Sequence, residues 1–163
     1  GDPVANEGRV AHAILTEKST GSVMDIFGIY FPNGGKSEEA WQGKLVFYRE
    51  FSAYIDSLRT PDIGSRGGDV NCAHHRIDLA RPDANDGKIG FHPLERAWLD
   101  GCIATDWHDI WRARNPDTRD IYSWWDVITR SRLTNVGWRI DYWWSDDSII
   151  AKTRNIEYMP DQM

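Results

Sequence analysis

Gly68-Asp69-Val70-Asn71 places a carboxylate and a carboxamide two residues apart, directly after a pair of glycines, and the rest of the chain is best read outward from it. If this stretch ends a β-strand, side chains two apart leave the backbone on the same side, so Asp69 and Asn71 point at one spot. A carboxylate there can hold a water or a hard cation, and the amide can orient a phosphate oxygen or that water. The plain alternative is an Asp/Asn turn, which these residue types build readily.

With 163 residues the chain can build one domain with a real core, and residues 1–163 are read as a single unit. Nine tryptophans are a large excess for a globular protein, suited both to a core and to stacking surfaces. A net charge of -6 argues against a binder of nucleic acid driven by charge alone. Arginines 112, 114, 119, 130, 132 and 139 nevertheless crowd the second half, leaving room for a local basic groove. The two cysteines, Cys72 and Cys102, have no metal-ligand spacing, so a reducing cytoplasm is the expected location, with a single bridge as the alternative. No apolar run is long enough to span a membrane. The opening Gly1-Asp2-Pro3, without an initiator Met, suggests a chain that starts inside a longer one or after processing.

Residues 9–16 and 22–31 read as two strands joined by Ser19-Thr20-Gly21, the second apolar on both sides and therefore interior. Ser37, followed by Glu38 and Glu39, marks a helix start. Phe47, Phe51, Tyr54 and Leu58 then fall on one face with Leu45, Tyr48 and Ile55 beside them, ending before Pro61. Residues 63–69 are expected to be a strand despite a glycine-rich sequence poor in β-formers, and residues 71–91 a long irregular loop. Pro93 suits the first turn of a helix whose face carries Leu94, Trp98 and Cys102, and residues 107–112 a shorter helix. Residues 120–127 and 137–145 read as aromatic-rich strands, with Asp141 pointing away from the face of Trp138 and Ile140, and residues 149–156 as a last strand.

Read as one unit, Gly68-Asp69-Val70-Asn71-Cys72-Ala73-His74-His75-Arg76-Ile77-Asp78-Leu79-Ala80-Arg81-Pro82 resembles the exonuclease III family of abasic-site endonucleases. The same likeness recurs in Tyr30-Phe31-Pro32-Asn33-Gly34, Gly90-Phe91-His92-Pro93-Leu94-Glu95-Arg96, Tyr122-Ser123-Trp124-Trp125 and Asn135-Val136-Gly137-Trp138-Arg139-Ile140-Asp141-Tyr142. These blocks stand in the family's order and cover most of the chain from about Glu7 onward.

The resemblance implies an α/β fold of two packed mixed β-sheets flanked by helices, a four-layer αββα sandwich, here incomplete. It implies Mg²⁺-dependent (or Mn²⁺-dependent) hydrolysis of DNA phosphodiesters beside abasic sites or at 3′ ends. By the same carry-over, Asp69 resembles the residue that activates or orients the attacking water, with Asn71 its partner at the phosphate, and the two are the weak candidates for metal contact. Tyr30 resembles the phosphate-side tyrosine near the leaving oxygen, and Asn33 and Asn85 resemble contacts to the phosphate and backbone. Trp124, Trp138 and Ile140 fall where the family builds its pocket for the extruded abasic sugar. Asp141 matches the aspartate that orients a catalytic histidine. The chemistry suits these residue types, since hydrolysis needs a positioned water, charge neutralisation and help for a leaving alkoxide. Flat aromatic walls suit a sugar taken out of the duplex.

Each residue also has a structural alternative. Asp141 could pair with a neighbouring arginine, Trp124 and Trp138 could be plain core, and Tyr30 a core aromatic with a satisfied hydroxyl. His74 and His75 invite a metal-site reading, but imidazole suits softer ions than Mg²⁺ and adjacent residues of an extended chain point their rings apart. The family pattern also includes an upstream glutamate that holds the metal and a downstream Ser-Asp-His block, and neither is in this sequence. The expectations are therefore a nuclease weak or inactive as this chain, or a catalytically silent DNA-binding remnant. Exposed sheet edges are expected to favour a homodimer or strand exchange. An acidic, Trp-rich binder of sugars or proteins is the reading unrelated to DNA.

Overall fold

The computed structural model describes residues 8–57 and 64–159, so the expectations at Glu7, Leu58, Pro61, Ile63 and Met163 lie outside the described residues. The chain opens with the antiparallel hairpin β1 (Val10–Thr16) and β2 (Val23–Tyr30), closed by a turn in which Gly21 N–H bonds to the carbonyl of Glu17. Helix α1 (Glu38–Ser57) starts as its sequence requires, Ser37 Oγ accepting from the N–H of Ala40 at 3.1 Å. Its inner face buries Phe47, Tyr48, Phe51 and Ile55.

Strand β3 (Ser65–Asp69) runs parallel to β2 and antiparallel to β7 (Asp141–Ser145), which also pairs with the two-residue β4 (His108–Asp109). The result is a mixed five-stranded sheet of order β1-β2-β3-β7-β4. A glycine-rich strand occupies its centre because its neighbours leave no room for side chains. A Cβ on Gly67 would lie 2.0 Å from Cε3 of Trp143, and one on Gly68, whose φ is +147°, 1.8 Å from the carbonyl oxygen of Ile29. Close packing overrides β-propensity here.

The region from residue 71 to 91 is more ordered than a loop reading suggests, holding a 3₁₀ turn at Arg76–Asp78 and the short helix α2 (Pro82–Asn85). Helix α3 (Pro93–Ala104) has Pro93 in its first turn and His92 as its cap. Its buried face is set by Glu95 and Leu99, with Trp98 and Cys102 partly buried, whereas Leu94 is exposed. Trp107 is buried ahead of β4, and the short helix expected there is α4 (Ile110–Arg114). The two aromatic strands are shorter than expected: β5 (Trp124–Trp125) and β6 (Gly137–Trp138) form a separate small ladder, and the chain breaks at Arg139-Ile140 before β7. Residues 149–156 are not a strand. Asp146 caps the backbone N–H groups of Ser148 and Ile149 and starts helix α5 (Asp147–Lys152), followed by an irregular segment.

One aromatic core joins the sheet to α1 and α3. Phe31, fully buried, has the rings of Phe47, Tyr48, Phe51 and Trp98 at 5.2 to 5.7 Å. A smaller cluster of Ala73, Leu79 and Phe91 supports Trp138. Among the described residues no helix is long and apolar enough to cross a membrane.

Candidate functional site

β3 ends at Asp69, and Asn71 has φ +55°, so strand alternation is not what brings the two side chains together. A turn does it. Asp69 Oδ1 accepts from the backbone N–H of Asn71 at 2.8 Å and Oδ2 from its Nδ2 at 3.1 Å. The turn and the convergent pair, alternatives in sequence, are one and the same arrangement. Asn71 Nδ2 also donates to the carbonyl of Phe31 at 3.0 Å, and Asn71 Oδ1 accepts from Asn33 Nδ2 at 2.9 Å. Both amide hydrogens of Asn71 are therefore used internally, while the second amide hydrogen of Asn33 has no partner among the described residues.

Tyr30, Asp69 and Asp141 form a row across β2, β3 and β7, since Asp69 is the register partner of both others. Partial burial pushes the Asp69 carboxyl up to about 6; the N–H of Asn71 pulls it back and the charge of Asp141 adds to the rise. Burial likewise raises Asp141, opposed by Ser123. Tyr30 is exposed at the end of β2, the guanidinium of Arg9 lying 5.4 Å from its ring centre.

A cleft of about 440 Å³ opens beside this row. Asn33, Asn71, Asn85, Trp124, Trp138 and Ile140 all line it, so six of the nine residues singled out in sequence meet in one place. Tyr30, Asp69 and Asp141 do not line it; Asp141 borders a separate recess with Trp111, Trp143 and Tyr158. Trp124 stands exposed on one wall and Trp138 is half-buried, so the plain-core alternative fails for Trp124 and holds only partly for Trp138; Ile140 beside them is buried. Asn85 Nδ2 is tied to the carbonyl of Arg81.

The arginines of the second half do not all make a groove. Arg139 is fully buried, with Nε 2.8 Å from Asp78 Oδ1 and Nη1 2.6 Å from Asp109 Oδ2, the latter contact not aligned as a hydrogen bond. Arg112 Nη2 reaches the same Asp78 oxygen at 2.6 Å. These cations neutralise buried carboxylates, as low dielectric demands. Sequence reading missed instead the exposed Arg81 and Lys88, which line the cleft, and the buried pair Lys44–Glu95 beneath it. The amphipathic pattern of α1 gave no sign of Lys44, because a lysine at a core position looks like a register error.

His74 and His75 do not point apart. Their rings stack at 3.7 Å because the chain turns into the 3₁₀ segment, and His74 Nε2 pairs with Asp100 Oδ1 at 2.8 Å. Burial, then the neighbouring His74, lowers the His75 pKa. Among the described residues no three His, Cys, Asp or Glu side chains are grouped to hold a metal ion. Mg²⁺ asks for an octahedron of oxygens. Here one carboxylate and one amide, already bonded to each other, do not by themselves make such a site.

No family model matches the chain. An exodeoxyribonuclease of Streptococcus pneumoniae serotype 4 is 34% identical over 125 residues, 76% of this chain and 46% of that protein. An exodeoxyribonuclease of Bacillus subtilis is 30% identical over 138 residues, 85% of this chain and 55% of that one. The chain thus spans about half the length of these curated relatives. Among solved structures, an AP endonuclease from Archaeoglobus fulgidus superposes with a TM-score of 0.72 at 22% identity, covering 87% of this chain and 59% of that one. The 3′ phosphatase NExo from Neisseria, bound to a product DNA hairpin, gives 0.78 at 21%, covering 96% and 64%. At these identities the structures speak for the fold. Over the part it shares with them, the chain is similar in sequence to these exodeoxyribonucleases and has the fold of the AP endonuclease and the 3′ phosphatase.

Proposed function

We propose that the chain carries the DNA-facing side of a repair phosphodiesterase acting beside abasic sites or at 3′ ends. The observation that carries this reading is the cleft itself, where an amide rim of Asn33 and Asn71 faces tryptophan walls in a volume fit for one extruded sugar. Asp69, ionised above its raised pKa, accepts the proton of a water aimed at phosphorus. Asn71 fixes the direction of that carboxylate, and the remaining hydrogen of Asn33 meets a non-bridging oxygen. Tyr30, next in the row, donates to the leaving oxygen. Trp124, Trp138 and Ile140 wall the sugar, and Arg81, Lys88 and Asn85 take the flanking phosphates. Dependence on Mg²⁺ or Mn²⁺ rests on the family relationship alone.

A second reading, a silent DNA-binding domain, is favoured by the lack of a grouped metal-ligand set among the described residues. One experiment separates the two: the chain is mixed with a duplex bearing a tetrahydrofuran abasic analogue, with and without Mg²⁺. A nick that falls by about 10² to 10⁴ in Asp69→Ala supports catalysis. Salt-sensitive binding with no nick at any enzyme concentration supports the silent reading. Neither binding nor cleavage removes both.

Self-association along the outer edge of β1, where Ile14, Leu15 and nearby Val23 are exposed, is the corresponding proposal for the sheet edge, checked by sedimentation. A cytoplasmic location is proposed from Cys72 and Cys102, which are not bridged.

A further inference from the structure

Lys44 and Glu95 are both fully buried, on α1 and α3, with Nζ 2.5 Å from Oε1. The ammonium has three hydrogens, and the structure gives each a partner: Glu95 Oε1, the carbonyl of Asn71 at 2.9 Å and the carbonyl of Asn33 at 3.3 Å. The other carboxylate oxygen, Oε2, accepts from the N–H of Gly90 at 2.8 Å and of His92 at 3.0 Å. One ion pair thus holds the chain at Asn33, Asn71 and Gly90, and all three residues line the cleft.

The bond from His92 N–H would make Glu95 an ordinary helix cap, but a cap explains neither its burial nor its lysine. A buried ion pair is no better for stability than a well-packed apolar pair of similar size, so stability does not account for it either. What an apolar pair could not do is grip three backbone segments at fixed separations. Gly34 fits the same device: at φ +81° it passes so close that a Cβ would sit 3.0 Å from Cδ of Lys44.

The geometry points to the Lys44–Glu95 pair as the positioning element of the cleft, setting the spacing between the Asn33 amide with its remaining hydrogen and the Asn71 amide that holds Asp69, without touching DNA itself. Its bearing on turnover rests on the nuclease reading above; its bearing on the amides does not.

The test uses the full chain and the double variant Lys44→Met/Glu95→Leu, which keeps the core filled and leaves no lone buried charge. Thermal unfolding is expected to stay close to that of the parent. In ¹⁵N-resolved NMR spectra the side-chain amide signals of Asn33 and Asn71 are expected to be slow to exchange in the parent, and to shift and lose that protection in the variant. On an abasic duplex kcat is expected to fall about 10²-fold with KM little changed, as for a misplaced reacting group. If the double variant does not fold, Glu95→Gln, of equal shape, carries the same comparison. A folded variant that keeps both protected amide signals overturns the proposal, whatever the chain does to DNA. Lost protection in a chain whose parent never cleaves upholds the positioning role and removes only the nuclease reading.

Discussion

Asp69 and Asp141 sit directly opposite each other across the β3–β7 ladder, two partly buried carboxylates on one face of the sheet. Residues so paired share a face and lie within a few ångströms. Neither can hold its charge without raising the cost of charging the other, which couples their protons.

A pH profile follows from that coupling. Asp69 titrates near 6, so cleavage that needs its ionised form is expected to rise through pH 6 and level off above it. Asp141→Asn removes the neighbouring charge and should move the inflection to lower pH. For stability the sign is the reverse of the usual carboxylate case. The folded chain holds a proton that the unfolded chain releases at its lower pKa, so this group favours the fold below about pH 4. That advantage is lost as pH rises through 6. Carboxyl ¹³C shifts followed against pH check both statements, and an Asp69 titration near 4 would sink them.

The two tryptophans of the cleft should separate binding from folding. Trp124 is 44% exposed, so Trp124→Ala is expected to leave unfolding within about 0.5 kcal/mol of the parent. It should weaken abasic-DNA binding by about 1–3 kcal/mol, the usual worth of an aromatic stacking surface. Trp138 packs on Ala73, Leu79 and Phe91, and Trp138→Ala should cost about 3 kcal/mol of stability as well. Urea melts beside fluorescence titrations read the two effects.

Charge at the cleft and charge in the core predict opposite phenotypes. Arg81→Ala and Lys88→Ala should fold normally, and each should flatten the salt dependence of DNA binding by about 0.9 in log–log slope. Arg139→Met takes the cation from Asp109 Oδ2 and leaves Asp78 with Arg112 alone, and should cost about 3–5 kcal/mol. An Arg139→Met protein of parental stability and altered salt slope would contradict this placement.

Gly67→Ala tests the centre of the sheet. A methyl group there meets Trp143 at 2.0 Å and the carbonyl of Tyr142 at 2.7 Å, so β3 and β7 must part. The expected loss is at least about 3 kcal/mol, the upper range for overpacking. Gly67→Ala/Trp143→Ala should recover part of it, since Trp143 is the first obstacle, and denaturant midpoints measure the recovery.

Sequence alone determined the elements whose signals are local. The opening hairpin, α1 with its Ser37 cap, α3 beginning at Pro93 and the likeness of the chain to exodeoxyribonucleases were legible because turn residues, caps and ordered motifs act over a few positions. It also named six residues that share the cleft. Tertiary structure decided the rest. Whether Arg139 faces DNA or Asp78, whether residues 149–156 extend or coil, and why glycines fill the central strand depend on neighbours distant in sequence. Lys44 shows this most plainly: only when α1, α3 and three loops are packed together does a lysine on an apolar face find the carboxylate and carbonyls that let it stay buried. Asp69-Val70-Asn71 is a turn, and the fold is what sets that turn beside Asn33 and across from Asp141.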